Sequence, residues 1–155
     1  MPLLTPPRCA SHMSTSNKIF DPLRKKFVAL TPEEGVRQWF IKVLHDQFGY
    51  PYHIMRSEVA FNFGQELFSM AAGSSRKVYR ADIVIYDRAA KPLVTVECKR
   101  PEVPLTEAVA QQALRYNSVL DTRWIVLTNG TNTILFHREG NTFVPTADFP
   151  KYEEI

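Results

Sequence analysis

Two strand-forming runs joined by three residues constrain this chain more than any other feature. "KVYRADIVIYD" (77–87) and "KPLVTVECK" (91–99) are rich in Val, Ile and Tyr, and "RAA" between them has the length of a hairpin connection. Each run is interrupted by charge. Asp82 stands just before Ile83, Val84 and Ile85, and Glu97, Cys98 and Lys99 close the second run. Side chains alternate along a strand, so Glu97 and Lys99 point the same way, roughly 6.5–7 Å apart, while Cys98 turns with Val94 and Val96 into apolar packing. Paired through the hairpin, the strands put Asp82 near the end that holds Glu97 and Lys99. A bend or splay there brings the three ionic heads together.

Helical periodicity flanks this pair. In "ALTPEEGVRQWFIKVLHDQFGYP" Thr31 is a cap, Pro32 suits the first helical position and Glu34 completes a T-x-x-E capping box. Val36, Trp39, Phe40, Val43, Leu44 and Phe48 form one apolar face before Gly49 and Pro51 stop the helix. "HIMRSEVAFNF" (53–63) reads as a strand and "GQELFSMAAGSSRK" (64–77) as a loop. "LTEAVAQQALRYNSVL" (105–120) reads as a second helix, and "RWIVLTNG" with "TNTILFHREG" as a hairpin turning near Asn129-Gly130. The order helix, three strands, helix, two strands predicts an α/β fold with a mixed sheet and helices packed on it. Residues 1–20, broken by prolines and containing "SHM", are set apart as a disordered tail, leaving 21–155 as one domain.

On the second helix Leu105, Ala108, Val109, Tyr116 and Val119 make a stripe with Gln112 in its middle. A buried amide needs a partner, and Gln112 and Tyr116, four residues apart, share one face. The helix follows Lys99 by a short connection, so it brings both beside the carboxylates. The plainer reading is a Gln bonded to a core carbonyl, just as Glu97 and Lys99 alone read as an ordinary surface ion pair.

Other chemistries find no support in the spacing. The 155 residues carry a formal net charge of +3, compatible with a polyanionic partner. His12, His45, His53 and His137 lack zinc-site spacing, no G-x-S-x-G elbow occurs, and "GSSRK" is no phosphate loop, so no ATP site is expected. Cys9 and Cys98 suggest no disulfide framework, which favours a cytoplasmic location. No apolar run reaches the ~18–20 residues of a membrane span. Arg24, Lys25 and Lys26, then Arg76, Lys77 and Arg80, then Lys99 and Arg100 frame a candidate phosphate track. Two carboxylates offer hard oxygens for Mg²⁺, a metal-bound water is a nucleophile near neutral pH, and a neighbouring lysine can orient it, assist its deprotonation or stabilise the charged transition state.

Asp82, then Glu97-Cys98-Lys99, then Gln112-Ala113-Leu114-Arg115-Tyr116 resembles the PD-(D/E)XK nuclease superfamily, in particular its RecB-like branch with a Q-x-x-x-Y motif. "RADIVIYD…KPLVTVECKRPEVPL…AVAQQALRYNSVL…WIVLTNG" is similar to the N-terminal nuclease domain of type I restriction enzyme R subunits, over about Thr31 to Gly140. The resemblance implies a restriction-endonuclease-like core and Mg²⁺- or Mn²⁺-dependent cleavage of DNA leaving a 5′-phosphate. It implies Asp82 and Glu97 as metal ligands, Lys99 as the catalytic lysine, and Gln112 and Tyr116 as supports of the site and the DNA backbone. An acid of the first helix completes such sites, Glu34 with Glu33 as second choice. Arg37 either pairs with that acid or faces phosphate, and Lys77, Arg80, Arg100 and Arg115 are further candidate DNA contacts. Motor, specificity and modification subunits would be separate partners. Two other readings stand beside this one: a nuclease-fold module that binds nucleic acid or a protein without turnover, and a Holliday-junction-resolvase-like dimer.

Overall fold

The computed structural model describes residues 17–62 and 78–155. The loop expected over 64–77, with Lys77, lies outside them. Thr31 starts helix α1 (Pro32–Asp46), its hydroxyl accepting the Glu34 N–H at 3.1 Å. Only this half of the expected capping box forms. The Thr31 N–H is already taken by the Ala29 carbonyl (3.1 Å), and the Glu34 carboxylate turns to Arg24, Arg37 and Gln38 instead.

Strands β3 (Met55–Asn62), β4 (Val78–Tyr86), β5 (Pro92–Cys98), β6 (Trp124–Thr128), β7 (Thr133–Glu139) and β8 (Thr142–Thr146) form one sheet in sequential order. Every neighbour is antiparallel except β5 and β6, which run parallel from Val94↔Trp124 to Cys98↔Thr128. A parallel pair requires a crossover, and helix α2 (Glu107–Asn117) supplies it. This α/β architecture is the predicted one, with β8 added to it. Asn129 makes the β6–β7 turn, its Oδ1 accepting the N–H groups of Thr131 (3.0 Å) and Asn132 (2.8 Å).

The two faces of the sheet hold separate cores, as a side-chain period of two demands. Phe40 and Leu44 of α1 pack with Ile83, Ile85, Val94, Val96, Cys98 and Val126. Ala110 and Ala113 of α2 pack with Ile125, Leu127 and Phe136. The buried side of α2 is therefore Ala110, Ala113 and Asn117; Ala108, Gln112 and Val119, expected in the buried stripe, are exposed. Small residues let the helix axis lie close to the strands, and that closeness decides which side turns inward. No helix among the described residues is long and apolar enough to cross a membrane.

A hairpin of β1 (Lys18–Asp21) and β2 (Lys26–Ala29) precedes α1, so residues 18–20 are strand rather than tail. Asp21 builds its turn: fully buried, it accepts the N–H groups of Leu23 (2.7 Å) and Arg24 (3.1 Å) and pairs with the Arg24 guanidinium. Burial alone would raise its pKa, but the Arg24 side chain and the two N–H donors outweigh it and hold the carboxyl below the usual range. The unfolded chain then binds the extra proton. Stability is fully present above the unfolded value of about 3.9 and is lost as pH falls through the lower folded value. Asp21→Asn is expected to destabilise the protein by about 1–3 kcal/mol at neutral pH. In denaturant unfolding its difference from wild type should shrink below about pH 3.9; a difference constant with pH would refute this account.

Candidate active site

Strands β4 and β5 pair from Tyr86↔Pro92 to Ile83↔Val96 and then part. At the parting the Asp82 carboxylate takes the place of a ladder partner. Its Oδ2 accepts the Cys98 N–H at 2.7 Å and its Oδ1 accepts Arg37 Nη2 at 2.6 Å. Burial, then the charge of Glu97, pushes the Asp82 carboxyl above its ordinary pKa, against the opposing pull of Arg37. Two acids thus stand close enough to repel, as the interrupted runs anticipated.

Glu97 is held differently. Its Oε1 lies 3.1 Å from Lys99 Nζ, and its Oε2 accepts a short hydrogen bond from the Tyr79 hydroxyl. Burial and the Glu97 charge raise the Tyr79 pKa, so the phenol keeps its proton and remains a donor. Tyr79 stacks on Tyr116, with ring centroids 5.0 Å apart and planes 11° from parallel, and Arg115 lies over the Tyr116 ring at 5.3 Å. Asn117 Nδ2 donates to the Ala113 carbonyl (2.8 Å) and to Tyr79 Oη (3.3 Å). A buried amide of α2 does reach this site. It is Asn117, whereas Gln112 faces solvent.

Behind Asp82 lies a buried ionic group. Arg37 is 5% exposed and also reaches Glu34 (2.7 Å), Glu58 (3.4 Å) and Glu33 (4.0 Å). Burial disfavours its charge, but Asp82 and Glu34 more than compensate and raise its pKa. Arg37 is thereby removed from the candidate phosphate contacts and belongs to the acids, the other of its two expected roles. Arg80, Arg100 and Arg115 are exposed. Glu34 faces Arg24, Arg37 and Gln38. Glu33, more exposed and 4.0 Å from Arg37, has its carboxyl raised by burial and by the Asp82 charge.

Tyr79, Asn117 and Glu58 are absent from the sequence expectations, and Arg24, expected on a phosphate track, is instead paired with Asp21, Glu34 and Glu58. Tyr79 carried a usable signal, an aromatic just upstream of Asp82 in the same run. Glu58 carried none, because its partners Arg24 and Arg37 lie 34 and 21 residues away.

The donors suit a hard cation. Asp82 and Glu97 present oxygens whose mutual repulsion a divalent ion would relieve, and each carboxylate oxygen keeps a second lone pair. Burial, then the Asp82 charge, pushes the Cys98 thiol well up, so no thiolate competes. No group of three or more His, Cys, Asp or Glu forms a metal cage among the described residues. Two carboxylates with water in the remaining positions match Mg²⁺ or Mn²⁺ better than zinc.

The model of the family described as Type I restriction enzyme R protein N terminus (HSDR_N) matches residues 32–150. A solved fragment assigned as an HsdR subunit of a type I restriction enzyme from Vibrio vulnificus YJ016 is similar, with a TM-score of 0.56 and 21% identity. That match covers 79% of this chain and 24% of the other, so the chain spans a minor part of that protein's length. At such identity the likeness carries the fold, which is restriction-endonuclease-like. No curated protein matches the chain.

Proposed function

The chain belongs to the family of type I restriction enzyme R protein N-termini, and from that premise we propose that it is a divalent-cation-dependent DNA endonuclease module. One observation carries the reading. Asp82 stands at the parting of β4 and β5, bonded to the Cys98 N–H and within electrostatic reach of Glu97, whose carboxylate is 3.1 Å from the Lys99 ammonium. Asp82 and Glu97 would hold Mg²⁺ or Mn²⁺, which when bound supplies a water of lowered pKa and neutralises charge on the phosphate.

The chain's own groups do the rest. Arg37 and the Cys98 N–H fix the two Asp82 oxygens, so that carboxylate has one orientation. Tyr79 does the same for Glu97. Lys99 orients the attacking water and stabilises charge growing on the phosphate. Arg80, Arg100, Gln112 and Arg115 are exposed and would be the side chains that touch the DNA backbone. Cleavage leaves a 5′-phosphate. A motor together with specificity and modification subunits would act as partners, as membership of the type I restriction enzyme R family suggests.

Nicking of supercoiled plasmid tests the proposal. Wild type is expected to nick with Mg²⁺ or Mn²⁺ and to stop on chelation, and Asp82→Ala and Glu97→Ala should be inactive. Equal nicking by all three proteins would mean a contaminant and end the assignment. DNA binding without nicking by wild type would leave a non-catalytic module.

A further inference from the structure

Arg24 lies in the β1–β2 hairpin, ahead of the family-matched segment 32–150, yet its guanidinium is joined to the candidate site. Nε pairs with Asp21, Nη2 reaches Glu34 Oε1 at 2.6 Å and Nη1 reaches Glu58 Oε2 at 3.0 Å. Glu34 and Glu58 use their other oxygens on Arg37, at 2.7 and 3.4 Å, and Arg37 holds Asp82 at 2.6 Å. The hairpin, the start of α1, the middle of β3 and the parting of β4 are therefore linked by two guanidinium groups and four carboxylates.

Two features mark this linkage as built rather than incidental. Glu58 has φ +51°, an unfavourable value for a residue with a side chain, and it stands within β3 at the point where it contacts both arginines. Such backbone persists only where its surroundings enforce it. The Arg24 side chain is only 18% exposed and Asp21 fixes its position from a fully buried site. A planar, five-donor fork serves three acids in fixed, separate directions, whereas the three donors of a lysine sit on one point charge.

We infer that Arg24 is a positioning residue for the site: through Glu34, Glu58 and Arg37 the N-terminal hairpin holds the Asp82 carboxylate against the Cys98 N–H. Its catalytic consequence rests on the nuclease reading, whereas its structural consequence does not. Without Arg24, Glu34 and Glu58 compete for Arg37, and the hold of Arg37 on Asp82 slackens.

Amide exchange in the full chain separates the two. The Cys98 N–H is the one that Asp82 accepts, and its rate is read as a ratio to that of Val126, which lies in β6 on the far side of β5, so a general loss of stability cancels. Arg24→Gln should speed Cys98 exchange relative to Val126 about tenfold and slow plasmid nicking by a similar factor. Arg24→Lys should fall between. Relative Cys98 exchange equal to wild type, with changes confined to 18–29, would overturn the inference. If Arg24→Gln does not fold cooperatively, Arg24→Lys decides by the same ratio. A wild-type chain that never nicks removes the cleavage reading alone, since the Cys98 ratio still tests the positioning.

Discussion

Exchange of Lys99 for Met is expected to reduce cation-dependent plasmid nicking by about 10²–10⁴-fold, the range for a group that handles a proton or charge in a transition state. Stability should fall by no more than about 1–3 kcal/mol, because Glu97 keeps its Tyr79 partner. Among the described residues the ion pair of the Lys99 side chain, 28% exposed, is with Glu97 at 3.1 Å. Its backbone is fixed independently, since the Lys99 N–H donates to the Thr128 carbonyl at 2.8 Å, continuing the parallel β5–β6 ladder. The loss therefore falls on the chemical step. Lys99→Arg separates the two roles of the cation: the guanidinium keeps the charge but does not give up a proton. Substantial activity in Lys99→Arg points to electrostatics, and inactivity like that of Lys99→Met points to proton handling. Nicking by Lys99→Met within threefold of wild type, as a rough bound, would remove Lys99 from the site.

The parts of the fold that were legible in the sequence are those whose signals are local. Thr31-Pro32 announces α1 because a cap and a first-turn proline act within one turn. The apolar runs of β4 and β5 are continuous because both faces of those strands are covered. Where each run meets an acid, the strands separate, and Asp82 accepts a backbone N–H in place of a strand partner. The nearness of Asp82 to the end of β5 and the pairing of Glu97 with Lys99 were readable for that reason.

What was not legible depends on distance along the chain. β1 and β2 have four residues each, and Phe20 and Phe27 on them are exposed, so no apolar alternation betrays the hairpin. It is held by Asp21 and Arg24, whose partners Glu34 and Glu58 lie 10 and 34 residues further on. β8 contains Pro145, a strand breaker in the middle of an interior strand but tolerated at an edge such as this one. On α2 the bulky residues drew the apolar stripe toward Gln112, while the packing surface is set by Ala110 and Ala113. A rotation of the helix by part of a turn exchanges one amide for another and puts Asn117 beside Tyr79.

The second large effect concerns Arg37. Arg37→Met should destabilise the protein by about 3–5 kcal/mol, because removing one member of a buried ionic group leaves the others uncompensated. Asp82 and Glu34 would each lose a guanidinium bond, of 2.6 and 2.7 Å. For a chain of this length that corresponds to a fall in melting temperature of about 10 °C. The destabilisation comes from the stranded carboxylates rather than from lost packing, so neutralising them should recover much of it. Glu34→Gln and Asp82→Asn combined with Arg37→Met should be more stable than Arg37→Met alone, with a favourable coupling energy. The same repulsion gives an independent reading of the cation. If Asp82 and Glu97 hold a divalent ion, millimolar Mn²⁺ should raise the melting temperature of Arg37→Met more than that of wild type, since the ion replaces the missing positive charge on Asp82. A variant that melts with wild type would show that Arg37 does not support Asp82. One that melts early but ignores Mn²⁺ would confine Arg37 to structure and count against a cation beside Asp82.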